Sequence, residues 1–183
     1  MRANHRQLVA LALGTIFLLT VLVVGCATTQ TEGTRESPLA VGKTAQVGDW
    51  KVTVTKVTRD AATEMAQVSG QQNEPAVAGK QYVLVAYSAE YTGSQSGAFS
   101  SDLFDSFVGS GGNSYSETNM SGNTLHQSNP IPPSYIADAG EAFSGAKIAG
   151  NTAYEVDRNQ VDGGTISVEN RADPHDRAFW AIQ

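Results

Sequence analysis

Asp173, His175 and Asp176 stand within four positions around Pro174, and carboxylates with an imidazole can hold a divalent cation. Residues this close rarely complete a metal site alone, because ligands must converge from different directions. Arg171 and Arg177 flank them, so the segment reads first as a solvated turn with local ion pairs. The metal reading is secondary, and no cofactor is expected. Hydrolysis by a nucleophile needs a base beside it. Beyond His5 near the N-terminus, the histidines are His126, in a polar stretch, and His175. Serines are many, but none lies in a Gly-x-Ser-x-Gly elbow. Gly109-Ser110-Gly111-Gly112-Asn113 has the glycines of a phosphate cradle, yet the strand-like Ser114-Tyr115-Ser116 follows it, where a cradle needs a helix N-terminus. Residues 157–163 carry Asp157, Asn159 and Gly163, but Val161 takes the fifth position and no Glu the twelfth, so the calcium-loop pattern fails. These residues do not assemble into an enzyme, and catalysis is not expected.

Cys26 is the only cysteine. It ends a long apolar run behind a basic tip carrying Arg2, His5 and Arg6, the layout of a secretory signal peptide. The run could instead be an uncleaved span from Leu8 to Val24, but it falls short of the roughly 20 apolar residues required and contains Gly14, Thr15 and Thr20. Val23-Val24-Gly25-Cys26 resembles the lipobox of bacterial lipoproteins. That resemblance implies cleavage after Gly25, a diacylglycerol on the Cys26 sulfur, and a mature protein anchored to the cell membrane on its extracytoplasmic side.

Lipidation would consume the only thiol, so the fold must hold by packing without a disulfide. Loss of residues 1–25 removes Arg2 and Arg6 and no acid, taking 12 basic side chains to 10 against 18 acidic ones, a net charge of −8. Such a surface argues against nucleic acid and against a peripheral grip on anionic headgroups. Residues 27–38 are polar, Thr-rich and without apolar period, as in a flexible tether. The expected organisation is a signal peptide over 1–25, a lipidated cysteine and tether over 26–38, and one domain over 39–183.

From Leu39 onward the pattern is one of strands and turns. Trp50, Val52 and Val54 alternate with Lys51, Thr53 and Thr55, a period of two. Residues 81–91 form the strongest strand: Val83, Val85, Tyr87, Ala89 and Tyr91 share one face, and Tyr82, Leu84 and Ala86 make the other apolar, as in a central strand. Residues 103–108 and 114–116 read as a hairpin over the glycine-rich turn. Further strands are expected near 43–47, 141–148, 153–156, 165–169 and 178–182. Residues 61–80 and 117–133 read as long loops, with one helical turn at 61–66. Most aromatic side chains should be core, but some among Tyr87, Tyr91, Phe179 and Trp180 are expected at the rim, where such rings make contacts. The sum is an all-β antiparallel β-sandwich.

The order of these features resembles the telokin-like, immunoglobulin-like domains of bacterial lipoproteins and secreted proteins, a family of unknown function. Residues 41–48 with Trp50–Thr58 match its opening hairpin. Residues 79–87 through Tyr91-Thr92-Gly93 match its central strand, with Tyr91 where relatives often have Asn. Phe104 to Tyr115 matches the next hairpin, and Ala139-Gly140-Glu141 with Ser144-Gly145 matches a late turn. The resemblance implies an immunoglobulin-like β-sandwich and brings no catalytic residues.

The function expected is non-catalytic recognition of a protein, peptide or other envelope ligand, by loops or by a sheet face, while the lipid on Cys26 holds the protein to the membrane. The alternatives are a structural or accessory subunit of a membrane complex and, behind it, a hydrolase or metal-dependent enzyme using His126 or His175.

Overall fold

The computed structural model describes residues 32–68, 73–116 and 132–182. Its strands are β1 (Thr44–Val47), β2 (Trp50–Thr58), β3 (Lys80–Tyr91), β4 (Gly97–Ala98), β5 (Leu103–Val108), β6 (Ser114–Ser116), β7 (Glu141–Ala142), β8 (Lys147–Asp157), β9 (Thr165–Asn170) and β10 (Asp173–Ala181). Three short α-helical segments join them: α1 (Ala62–Ala66), α2 (Phe99–Asp102) and α3 (Arg158–Val161). One four-stranded sheet runs β1-β2-β3-β8, a second runs β10-β9-β5-β6, and every pairing within them is antiparallel. The expected antiparallel β-sandwich is what the chain forms.

Period-two alternation sets the core. Trp50, Val52 and Val54 from β2 and Val83, Val85, Tyr87 and Ala89 from β3 are buried against Phe107, Ile166, Val168 and Trp180 of the second sheet. Polar tips in this interior find partners, as burial demands. Trp50 Nε1 donates to Asp102 Oδ2 at 2.9 Å, and Trp180 Nε1 to the Lys43 carbonyl at 2.8 Å. The central position of β3 explains its two apolar faces. Tyr82 and Leu84 point away from the sandwich and are covered by Ala61 and Met65 at α1, with Ala153 beside them.

Three boundaries differ from the sequence reading. The strands expected at 141–148 and 153–156 are a two-residue β7 and one continuous β8. Gly150 does not break β8. It lets a 3-10 turn (Ile136–Ala139) cross the strand, since a Cβ there would lie 2.6 Å from Ile136 Cα. The last strand begins at Asp173, not 178, and a register shift between Asp173 and Arg177 accommodates Pro174, which has no amide to donate. The tether expected over 26–38 is docked from Gly33 onward. Phe179 N donates to Gly33 O, Leu39 N to Phe179 O and Ala181 N to Leu39 O, at 2.8–2.9 Å. Leu39 bridges Trp180 in parallel, so this strap caps the free edge of β10.

Candidate functional site

Register places side chains on the outer face of the second sheet. Phe107, Ile166 and Trp180 turn inward, so their neighbours Ser106, Ser167 and Phe179, which pair Ser106 to Ser167 and Ser167 to Phe179, turn outward in one row. Phe104, Glu169 and Arg177 form the next row, again as direct register partners. An outer face normally meets water, yet Ser106 and Ser167 are each only 5% exposed. The larger side chains beside them, Phe104, Phe179 and Arg177, and the strap line the same cavity. Thr34, Arg35 and Glu36 arch over this face, and Arg35 Nη2 lies 3.2 Å from where a Cβ on Gly112 would stand. The strap thus reaches from the β10 edge to the hairpin at the other side of the sheet.

Between strap, hairpin and sheet lies a half-open groove of about 580 Å³. That is within the roughly 300–1,000 Å³ of small-ligand sites. Its floor carries the Ser106 and Ser167 hydroxyls, its sides Phe104 and Phe179, and its rim Arg35 and His175. Arg171 lies over the Phe104 ring at 5.3 Å and Arg177 over Phe179 at 5.6 Å. Arg177 stacks on Phe179 instead of pairing with Glu169, its direct cross-strand neighbour. None of the ion pairs among the described residues uses Arg35, Glu36, Glu169 or Arg177. The groove therefore presents hydroxyls, two carboxylates and two guanidinium groups whose charges are not already spent on one another.

The hairpin wall is held rigidly by Gln160, just before the end of α3. Gly111 N donates to Gln160 Oε1 at 2.7 Å and Ser110 N to the Gln160 carbonyl at 3.0 Å, while Gly109 N bonds Asn113 O. Those amides are committed, so this glycine-rich turn is a hairpin, not a phosphate cradle.

A second polar cluster lies inside the sandwich. Asp105 of β5 accepts hydrogen bonds from Tyr87 of β3, at 3.2 Å, and Tyr154 of β8, and the two phenol oxygens stand 3.0 Å apart. Asp105 as a residue is half-buried, but Tyr87 and Tyr154 are 1% and 0% exposed, which puts its carboxyl in the interior. Burial pushes that carboxyl above the usual aspartate range, opposed by the hydroxyls of Tyr154, Thr152 and Tyr87. Thr152 Oγ1 exerts this pull without a well-formed hydrogen bond of its own. Burial and the neighbouring Asp105 raise the Tyr154 phenol well above its ordinary value. The cluster fastens one sheet to the other.

The sequence candidates fare unevenly. Gly25, Cys26 and His126 lie outside the described residues, as do 69–72 and 117–131 of the two expected long loops. Asp173, His175 and Asp176 do not converge. Asp173 Oδ1 accepts the His175 backbone amide at 3.0 Å, and Asp176 Oδ2 is taken by Gly48 N at 2.7 Å and Asn170 Nδ2 at 3.2 Å. Among the described residues no group of three or more His, Cys, Asp or Glu is placed to share a metal. Tyr87, Tyr91 and Trp180 are interior, and Phe179, though it lines the groove on the outer face, is itself buried, so none of the four is the exposed rim ring expected. The sequence reading missed the groove itself. Its signal was the polar half of three alternating strands, which becomes a site only once register sets Ser106 beside Ser167.

No protein-family model matches the chain, and no curated protein matches it. Among solved structures it is similar to a conserved hypothetical protein from Bacillus anthracis, with 17% identity and a TM-score of 0.47 over 79% of this chain and 95% of that one. It is also similar to the yjhA protein from Bacillus subtilis, with 15% identity and a TM-score of 0.44 over 79% and 99% of the two chains. An uncharacterized β-sandwich protein from Clostridium difficile has 14% identity and a TM-score of 0.45 over 80% and 95%.

Proposed function

We propose that this protein is a lipid-anchored recognition domain of the cell envelope, and that its binding surface is the groove on the outer face of the second sheet. One observation carries the reading: a hydroxyl-floored cavity of about 580 Å³ whose arginines and glutamates are not paired with one another. Charged groups left unpaired beside a buried polar floor gain most when a ligand supplies their partners. Binding is favoured over hydrolysis at the same place. His175 shares the groove with Ser106, Ser114 and Ser167, but its imidazole hydrogen-bonds none of them, and a nucleophile and its base need that reach.

The anchor, read from the lipobox at Cys26, limits where the ligand can stand. Gly33 lines the groove and follows Cys26 by only seven residues. At most ~3.6 Å per residue, those span about 25 Å. The groove would stay within that distance of the lipidated sulfur, close to the membrane surface. The test is photocrosslinking in cells from a probe placed at Glu36, on the strap, with Cys26→Ser as control. A reproducible envelope component captured only by the anchored form supports the reading. Capture unchanged by loss of the anchor, or no capture from Glu36 alongside capture from Lys56 on β2, contradicts it.

A further inference from the structure

Resting on that reading, we propose that the groove takes a saccharide bearing an acidic group, a uronate or a sugar phosphate. The floor points to the saccharide. Ser106 and Ser167 lie side by side at 5% exposure, and hydroxyls both donate and accept, which suits an array of ligand hydroxyls. Glu169, in the adjoining row, is an acceptor for a further pair of hydroxyls. Phe104, with Arg171 over its ring, offers apolar surface to a pyranose, and Phe179, buried beneath Arg177, backs the groove.

The acidic group follows from the arginines. Arg35 on the strap and Arg177 on β10 both line the cavity, and a guanidinium fork matches carboxylate or phosphate in two parallel bonds. An extended peptide fits less well. Peptides that bind sheets add a strand to a free edge, and here the strap already occupies the β10 edge through three backbone hydrogen bonds. The outer face offers hydroxyls where a peptide site would offer pockets for alternate side chains.

The experiment is calorimetric titration of the native anchored protein in detergent. Its probes are a panel of uronate and phosphate-bearing oligosaccharides, their neutral counterparts, and oligoglutamate of matching charge. Acidic saccharides are expected to bind at least tenfold more tightly than neutral ones or oligoglutamate. Arg177→Ala and Ser167→Val should each weaken binding about tenfold, while Ser167→Thr, which keeps the hydroxyl, should retain it. Melting curves show that each variant is folded. Equal binding of neutral saccharides overturns the acidic group. Equal binding of oligoglutamate overturns the saccharide and leaves the recognition reading standing. No binding across the panel overturns the inference, and crosslinking from Glu36 then decides separately whether the groove recognises anything.

Discussion

Replacing Asp105 tests the internal clamp quantitatively. From β5, its carboxyl serves two buried phenols of the facing sheet, Tyr87 on β3 and Tyr154 on β8. In Asp105→Ala those phenols, 3.0 Å apart, can still bond to each other, so one of the two hydroxyl protons finds an acceptor and the other is orphaned. An orphaned buried donor costs roughly 1–3 kcal/mol. The space left by the carboxyl adds about 1 kcal/mol at most. A total near 2–3 kcal/mol lowers Tm by about 4–12 °C for a domain of this size. Asp105→Asn keeps the shape and removes the charge, so it separates packing from titration. The folded-state pKa is raised above the ordinary value of 3.8, so the folded protein binds the proton more tightly than the unfolded chain does. The stability this gives is fully present below the unfolded pKa and is lost as pH rises through the folded one. Asp105→Asn should therefore gain on the parent protein as pH rises above the ordinary aspartate value of 3.8. Urea unfolding at several pH values reads both effects. A parent and an Asn variant whose difference is constant with pH, together with an Ala variant within about 0.5 kcal/mol of the parent, would refute the clamp.

Other perturbations probe the frame of the groove. Gly164→Ala places a Cβ 2.4 Å from the Phe107 ring and should cost about 1–3 kcal/mol by overpacking, read by thermal melting. Gln160→Ala removes the acceptor of the Gly111 amide, so hydrogen exchange at Gly111 should accelerate about tenfold or more with little change in Tm. Deleting residues 27–38 removes Gly33, the acceptor of the Phe179 amide, and should unprotect that amide while leaving β5 and β9 protected in the same exchange experiment. Lys147→Ala, which breaks one exposed ion pair with Glu90, should change stability by less than about 0.5 kcal/mol.

Backbone pairing and side-chain pattern were not equally legible in the sequence. The alternation at Trp50–Thr58 and the doubly apolar 81–91 segment announced a sandwich with a central strand, because burial selects side chains directly. The strap at 33–39 left no such trace: its hold on β10 is made by amides and carbonyls, which every residue carries. Gly150 reads as a breaker in isolation and becomes a strand residue because another turn must pass over it. Asp173-Pro174-His175-Asp176 looks like loop by composition, but a bulge lets the strand absorb the proline. The groove depends on long-range register, with Ser106 and Ser167 brought together from 61 positions apart, and single-sequence periodicity does not contain that pairing.

Hydroxyl-radical footprinting compares the native protein in intact cells with the same protein purified, and needs no ligand to be named. Phe104 and His175 report on the groove, and Phe143, 64% exposed at the turn after β7, serves as reference outside it. A recognition domain that works through this groove predicts protection of Phe104 and His175 in cells, with Phe143 labelled equally in both samples. Protection of Phe143 with Phe104 and His175 unchanged would place the contact elsewhere and contradict the account.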